Sequence, residues 1–168
     1  MKNPRVLMAA LGLTGALGVG SYYTADHEGL SLDAYLDSVG VPTICYGRTQ
    51  GVQLGDTYTL EQCEQFLKDD LYDHAVPVWH DIDPTEVTLG VFISVSDFVY
   101  NVGVGNYNRS TLRQYLREGE LELVCQEFPR WKYAGGVDCS QRDSGCYGVW
   151  LRRLDQQRLC ESSLPLSE

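Results

Sequence analysis

The sequence is poor in basic side chains. Lys and Arg together number 13 against 23 Asp and Glu, which gives a formal net charge of −10. Proteins that bind nucleic acid need a basic footprint, so the composition predicts no nucleic-acid partner. The imbalance is concentrated in residues 26–100, which hold 2 basic and 14 acidic side chains.

The chain also lacks internal repeats, low-complexity linkers and any second long uncharged run after residue 25. With 168 residues, of which 43% are hydrophobic and 21% charged, it is long enough to bury a core of its own. We therefore expect one compact domain over residues 26–168, preceded by a distinct segment over residues 1–25.

Metal-binding cysteine patterns are missing as well. There is no CxxC pair, and the three histidines have no spacing that would complete a zinc site, so we expect neither metal nor cofactor. The chain nevertheless has an even number of cysteines, Cys45, Cys63, Cys125, Cys139, Cys146 and Cys160. They are either buried free thiols of a cytosolic protein or three disulfides of an exported one, and we favour the second interpretation.

Residues 6–25 form a 20-residue stretch without a charged side chain, preceded by Lys2 and Arg5. A basic start followed by an apolar run indicates Sec-type export, and about 20 helical residues cross a bilayer core. Eleven of the 20 are Gly, Ala, Ser or Thr, and no clear A-x-A cleavage site follows. A cleaved signal peptide, a permanent anchor and an uncut span that later leaves the bilayer remain open, and the weak apolarity favours the last.

Beyond residue 25 the pattern is typical of an α+β fold, with a small β-sheet lobe followed by a mainly helical lobe. Residues 30–58 are rich in Val, Thr, Tyr and Gly and predict short strands and tight turns. Capping signals predict the helices that follow. The expected helices cover residues 59–74, 83–102, 111–117, 121–133 and 148–160.

The functional groups of interest lie near the start of the domain, at Glu28, Asp37 and Thr43. Inverting glycoside hydrolysis needs one acid that protonates the leaving oxygen and further groups that hold a water on the opposite face. The spacing Glu-x8-Asp-x5-Thr would supply two carboxylates and a hydroxyl. With 23 acidic residues in the chain, the same spacing also arises by chance on a solvated surface, so the spacing alone leaves both interpretations open.

The segments around these residues resemble phage-type lysozymes, glycoside hydrolase family 24, and among them the signal-anchor-release endolysins. Residues 27–30 (HEGL) are similar to the family's E-G motif, and residues 37–47 (DSVGVPTICYG) to its D-x-x-G-x-x-T-x-x-x-G segment. Later segments resemble the cleft-lining helix, the next helix start and the C-terminal part, at residues 98–105, 110–112, 130–136 and 152–153. The resemblance covers essentially residues 1–161.

The resemblance implies a lysozyme-like fold with an N-terminal signal-anchor helix, and a muramidase that cuts the β-1,4 bond between N-acetylmuramic acid and N-acetylglucosamine in peptidoglycan and lyses the host cell. It implies Glu28 as the general acid, with Asp37 and Thr43 orienting the attacking water. Asn101 and Arg130 are candidate saccharide contacts, although Asn101 is equally suited to a helix C-cap. A lytic transglycosylase on the same scaffold and a non-catalytic wall-binding module are the alternatives.

The resemblance further suggests the disulfides Cys45–Cys63 and Cys125–Cys160. It leaves Cys139–Cys146 to close an insertion over residues 137–146 that departs from the family pattern. These enzymes usually have histidine where this chain has Arg48, and we expect Arg48 to pair with an acidic side chain.

Glu28 lies three residues after the uncharged stretch, a distance of about 5 Å if the segment is helical. This short distance suggests how activity is controlled. While residues 6–25 lie in the host inner membrane, we expect Glu28 to be held at its periplasmic surface, away from Asp37 and Thr43. Release would let the leading segment fold onto the domain and would leave a monomeric enzyme in the periplasm. Since no cysteine precedes Thr43, a disulfide made within the anchor cannot hold the enzyme inactive.

Overall fold

The structure, a computed structural model, describes residues 4–37 and 40–164. Lys2, part of the basic start, lies outside these ranges. The larger elements in chain order are α1 Pro4–His27, β1 Ser31–Leu36, β2 Pro42–Cys45, α2 Leu60–His80, α3 Leu89–Val102, α4 Val104–Asn108, α5 Thr111–Glu118, α6 Leu121–Glu127, β3 Tyr133–Ala134, β4 Val137–Asp138 and α7 Tyr147–Ser163. The expected α+β fold, with a small β lobe and a mainly helical remainder, is confirmed.

The β lobe is built on an antiparallel hairpin of β1 and β2. Tyr35 lies opposite Thr43, and the register shifts between Ser31 and Tyr35. Ile44 and Cys45 at the end of β2 are buried and pack with Cys63 of α2 in a small separate core. The hairpin is therefore attached to the helical lobe directly through its second strand.

The helical lobe is organised around α3. The nine consecutive residues Val91–Val99 are all buried, as expected for a helix that is surrounded by others and apolar on every side. Helices α1, α2 and α7 pack around it. Phe92 and Phe98 are among its largest buried side chains, and Phe98 meets Phe128 edge to face at 5.8 Å.

Helix α1 lies on the domain through small residues. Ala16 and Leu17 belong to the main core, and a Cβ atom placed on Gly20 would lie 3.5 Å from Ile93. The helix is kinked at Gly12, which has φ 64° and ψ −177°. Across the part of the chain that the structure describes, no helix combines the length and the apolarity needed to cross a membrane. The small residues that weaken α1 as a membrane span are thus the ones that let it pack closely.

Two predicted helix boundaries in the middle of the chain are wrong. Helix α2 begins at the predicted capping box of Thr59 and Gln62, but it continues through Pro77 to His80 because its buried stripe extends past residue 74 to Val78. The residues from Asp83 form a turn, in which the Asp83 carboxylate accepts the Thr85 N–H at 2.8 Å. Thr88, not Asp83, is the N-cap of α3.

The helix predicted over residues 121–133 is also too long. Helix α6 ends at Glu127 and a 3₁₀ turn follows over Phe128–Arg130, because Pro129 has no N–H to continue the helical hydrogen bonds. By contrast, α5 has the expected Ser110 N-cap and ends at Gly119 with φ 76°. Local signals therefore located both ends of α5.

Three disulfides are formed, with the pairing that the resemblance implied. Cys45–Cys63 joins β2 to α2, and Cys125–Cys160 joins α6 to α7. Cys139–Cys146 closes the inserted segment. The three cross-links restrict the unfolded chain.

Candidate active site

Glu28 is the first residue after α1. Its carboxylate Oε1 accepts a hydrogen bond from Arg152 Nη1 of α7 at 2.6 Å. The Glu28 side chain is 21% exposed, whereas that of Arg152 is 7% exposed. The buried guanidinium of Arg152 therefore holds one side of the Glu28 carboxylate, and the Glu28 side chain remains partly exposed to solvent.

Arg152 is held in turn by Asp97 of α3. Its Nε and Nη2 atoms donate to the two carboxylate oxygens of Asp97 at 3.1 and 2.8 Å, and Gln156 Nε2 donates to the same carboxylate at 2.6 Å. Asp97 is fully buried. Burial would lower the pKa of Arg152, but the carboxylates of Asp97 and Glu28 outweigh it and raise that pKa above its ordinary value.

Arg153 occupies the neighbouring position and orders Asn101. Its Nη1 donates to Gln156 Oε1 at 2.5 Å, its Nη2 donates to Asn101 Oδ1, and the guanidinium lies over the Phe98 ring. Burial, together with the like charge of Arg152, lowers the pKa of Arg153 to about 10. Asn101 therefore has a partner in α7 instead of serving only as a helix cap.

An open groove of about 390 Å³ lies above Glu28. It is lined by Glu28, Tyr46, Gly47, Arg48, Thr49, Gln50, Asp70, His74, Tyr100 and Asn101. Gly47 has φ 85°, and a Cβ atom added there would lie 3.5 Å from Glu28 Oε2. The absence of a side chain at Gly47 keeps this second carboxylate oxygen accessible.

The wall across from Glu28 is polar and internally bonded. Tyr100 donates its hydroxyl to the Tyr46 carbonyl at 3.2 Å, and burial followed by the charge of Glu28 raises the pKa of Tyr100, so the phenol stays protonated. Arg48 pairs with Asp70 at 2.7 Å, which confirms the acidic partner expected for Arg48. His74 Nδ1 lies 2.6 Å from the Asp70 carbonyl oxygen.

Asp37 and Thr43 lie on the hairpin that follows Glu28, and both are bonded to Val41. Asp37 Oδ1 accepts the Val41 N–H at 2.8 Å, and Thr43 Oγ1 donates to the Val41 carbonyl at 3.0 Å. Thr43 is nearly fully buried. Both side chains are thus bonded to the backbone of the same residue, while the residues that line the groove over Glu28 include neither of them. Their role in orienting water stays a prediction.

Of the two candidate saccharide contacts, only Asn101 lines this groove. Arg130 lies in the 3₁₀ turn after α6, is 71% exposed and donates to Glu127 at 2.6 Å. The neighbouring Trp131 packs against Phe98 at 5.0 Å. A saccharide contact by Arg130 stays a prediction.

Sequence reasoning assigned no role to Asp97, Tyr100, Arg152 or Gln156. A signal was present for Asp97, since it is the one charged residue in the apolar helix over Leu89–Val102, and a buried acid requires a partner. Nothing local indicated that this partner would come from residue 152. Within residues 4–37 and 40–164, no group of three His, Cys, Asp or Glu side chains is arranged to hold a metal ion.

Comparisons with known proteins identify the family of this chain. Residues 25–154 match the family model described as phage lysozyme. The SAR-endolysin of Enterobacteria phage PA-2 is 38% identical over 154 residues, which covers 90% of this chain and 87% of that protein.

Solved structures extend the likeness to the whole fold. The endolysin from Escherichia coli O157:H7 phage FAHEc1 has a TM-score of 0.71 at 26% identity, covering 94% of this chain and 96% of that one. The active form of the P1 phage endolysin Lyz has a TM-score of 0.74 at 18% identity and covers 98% and 97%, a likeness of fold alone. The match over residues 25–154 and the relative at 38% identity show that the chain belongs to the phage lysozyme family.

Proposed function

We propose that this phage lysozyme is an endolysin that hydrolyses the β-1,4 bond between N-acetylmuramic acid and N-acetylglucosamine in peptidoglycan, with inversion at the anomeric carbon. Glu28 is the general acid, and Asp37 and Thr43 orient the attacking water. The observation that carries the proposal is the fixed position of Glu28, whose Oε1 is bound by buried Arg152 while Oε2 faces the groove.

The two oxygens of Glu28 have different tasks in this proposal. Oε1 is occupied by the charge-assisted hydrogen bond from Arg152, which sets the orientation of the carboxyl group. Oε2 lies beside Gly47 at the open side and is the atom that carries the proton to the leaving glycosidic oxygen. The bond to the anomeric carbon breaks as water adds from the opposite face, where Asp37 and Thr43, the second set of groups, hold the water and the Asp37 carboxylate accepts the proton that it loses.

Asp37 and Thr43 suit that second set because the hairpin turn restrains both. Their common attachment to the backbone of Val41 keeps a carboxylate and a hydroxyl close together in the chain. Such restraint is what positioning of a water requires, since a loosely held base loses much of the benefit of proximity.

The likeness to SAR-endolysins supports a membrane-tethered precursor. We infer that residues 1–25 are a signal-anchor-release segment, exported by Sec and held without cleavage in the host inner membrane, and that residues 26–168 are the muramidase domain on the periplasmic side. Because Glu28 directly follows α1, its ion pair with Arg152 of α7 depends on the docking of α1 on α2 and α3. Release therefore completes the active site and gives a monomeric periplasmic enzyme.

Turbidity of outer-membrane-permeabilised cells, combined with mass spectrometry of the released fragments, tests the activity. The wild-type enzyme should clear the suspension and produce reducing ends, and Glu28→Gln should abolish clearing while retaining the melting temperature. Glu122→Gln, the same change at an exposed position of α6, is the matched control and should remain active. Release of 1,6-anhydro products would show a transglycosylase, and a fully active Glu28→Gln variant would remove Glu28 from its role.

A further inference from the structure

The segment over residues 131–147 connects the 3₁₀ turn to α7, and we call it the stapled loop. It contains the short hairpin of β3 and β4 and the Cys139–Cys146 disulfide. Cys139 is fully buried, and its N–H donates to the Lys132 carbonyl at 2.8 Å. The loop is therefore a covalently closed unit.

Polar contacts stiffen the stapled loop further. Lys132 Nζ lies 2.8 Å from Asp138 Oδ2, and the other oxygen of Asp138 accepts the N–H and the hydroxyl of Ser140 at 3.0 and 2.7 Å. The ammonium of Lys132 also lies over the ring of Tyr133, 5.3 Å from its centroid. The Lys132 ammonium therefore contacts both the Asp138 carboxylate and the Tyr133 ring.

Two side chains of the stapled loop with large apolar parts are exposed to solvent. Tyr133 is 61% exposed and Val137 is 46% exposed. A rigid tyrosine offers a large amphipathic contact area and loses little conformational entropy when it binds a partner. A disulfide, an ion pair and a capped turn that together immobilise an exposed ring are the features of a pre-organised binding surface.

The stapled loop lies at the same end of α3 as the groove, as the packing of α3 and α7 shows. Helices α3 and α7 run antiparallel, since Asn101 near the end of α3 meets Arg153 near the start of α7, and Thr88 at the beginning of α3 meets Ser163 at the end of α7. The first residue of α7, Tyr147, lies about 9 Å along the axis before Arg153. The stapled loop therefore sits at the end of α3 where Asn101 lines the groove.

The other end of the loop is fixed at the same place. Trp131 packs edge to face on Phe98 at 5.0 Å, three residues before Asn101. Both attachments thus hold the loop at the end of α3 that bears Asn101, one of the residues that line the groove.

We propose that the stapled loop is an additional saccharide-binding surface, on which the exposed Tyr133 ring packs against a pyranose ring of the glycan strand outside the groove. The proposal rests on the proposed function, because a glycan strand passes this surface only if peptidoglycan occupies the groove. The flat C–H-rich face of an N-acetylhexosamine is the chemical match for an exposed aromatic ring. The site lengthens the hold on the polymer and takes no part in bond cleavage.

Binding to purified peptidoglycan sacculi by co-sedimentation tests this surface without turnover. In the inactive Glu28→Gln background, Tyr133→Ala should raise the dissociation constant about tenfold, the loss of one aromatic stacking contact and its buried area. Tyr133→Phe should bind as the parent does, because the ring and not the hydroxyl makes the contact. Tyr72→Ala, another exposed tyrosine but on α2, is the matched control and should bind normally.

A variant without the Cys139–Cys146 disulfide tests whether the fixed shape of the stapled loop contributes to binding. Replacing Cys139 and Cys146 with Ser should also weaken binding, while the melting temperature of Tyr133→Ala should stay at the parent value. Unchanged affinity of Tyr133→Ala for sacculi overturns the proposal even if the wild-type enzyme hydrolyses peptidoglycan. A dependence on Tyr133 in a protein that proves to cut no glycosidic bond would instead retain the surface and reject the proposed function.

Discussion

Glu28 and Arg152 are 124 positions apart in the sequence, and their side chains meet at 2.6 Å. The contact joins the residue that follows α1 to the buried side of α7. Arg152 also makes a two-point contact with buried Asp97, so the same guanidinium connects α7 to α3 and to the residue that follows α1. The position of the candidate acid therefore depends on the packing of α1, α3 and α7 together.

Replacing Arg152 should damage activity and stability together. Arg152→Lys retains the charge but loses the planar fork that reaches both Asp97 and Glu28, and we expect turnover to fall about tenfold or more. Arg152→Ala leaves Asp97 buried without its cation and should lower the free energy of unfolding by about 3 kcal/mol or more. Turbidity clearing and denaturant unfolding measure the two effects.

Arg158→Lys is the matched control, since Arg158 lies on the same helix in an exposed ion pair with Asp155. It should change neither quantity appreciably. Full activity of Arg152→Lys would mean that Glu28 does not need this orientation.

Comparing Gly47→Ala with Gly51→Ala should distinguish an effect on turnover from an effect of backbone strain on stability. Gly47→Ala places a Cβ atom 3.5 Å from Glu28 Oε2 and forces alanine into φ 85°. The strain should lower the free energy of unfolding by about 1 kcal/mol, and the new methyl should reduce turnover. Gly51→Ala has a similar strain at φ 73° but meets no neighbour within 4 Å, so it should lose stability without losing specific activity. Equal activity losses in both variants would contradict this explanation.

The disulfides should differ in their contribution to stability. Cys125–Cys160 closes a separation of 35 residues, and Cys139–Cys146 closes only 7. In the chain-entropy description the longer loop contributes more, so replacing Cys125 and Cys160 with Ser should lower the free energy of unfolding by about 3 kcal/mol, and replacing the other pair by less. Urea unfolding of the two double variants gives the comparison, and a larger loss for the short loop would reverse it.

Release from the membrane should slow when the apolarity of α1 increases. Thr14 and Gly18 are exposed in the packed helix, and a Cβ atom on Gly18 meets nothing within 4 Å. Changing both to Leu therefore leaves the docked form intact while strengthening the bilayer-inserted form. We expect a larger membrane-bound fraction and delayed lysis, measured by membrane sedimentation and culture turbidity during expression.

Gln at the same two positions is the control for that experiment and should not delay release. If the Leu variant remained membrane-bound and was nevertheless fully lytic, then docking of α1 would not be required for activity.

Features set by neighbouring residues could be predicted from the sequence. The Thr59 capping box, the Ser110 cap and the stop at Gly119 are determined within a few positions, and all three appear in the structure. Glu28, Asp37 and Thr43 belong to one short segment, so their spacing could be matched to a family without a structure. Composition placed the strand-rich part at residues 30–58, and capping signals placed the helices after it.

The extent of α2 and the environment of Glu28 were decided by tertiary structure. Pro77 is tolerated inside α2 because the buried stripe continues to Val78, an energy that comes from packing and not from local propensity. Likewise, no local pattern connects Asp97 to Arg152 or Arg152 to Glu28. The desolvation that makes these charges require one another exists only after three distant helices have excluded water from the space between them.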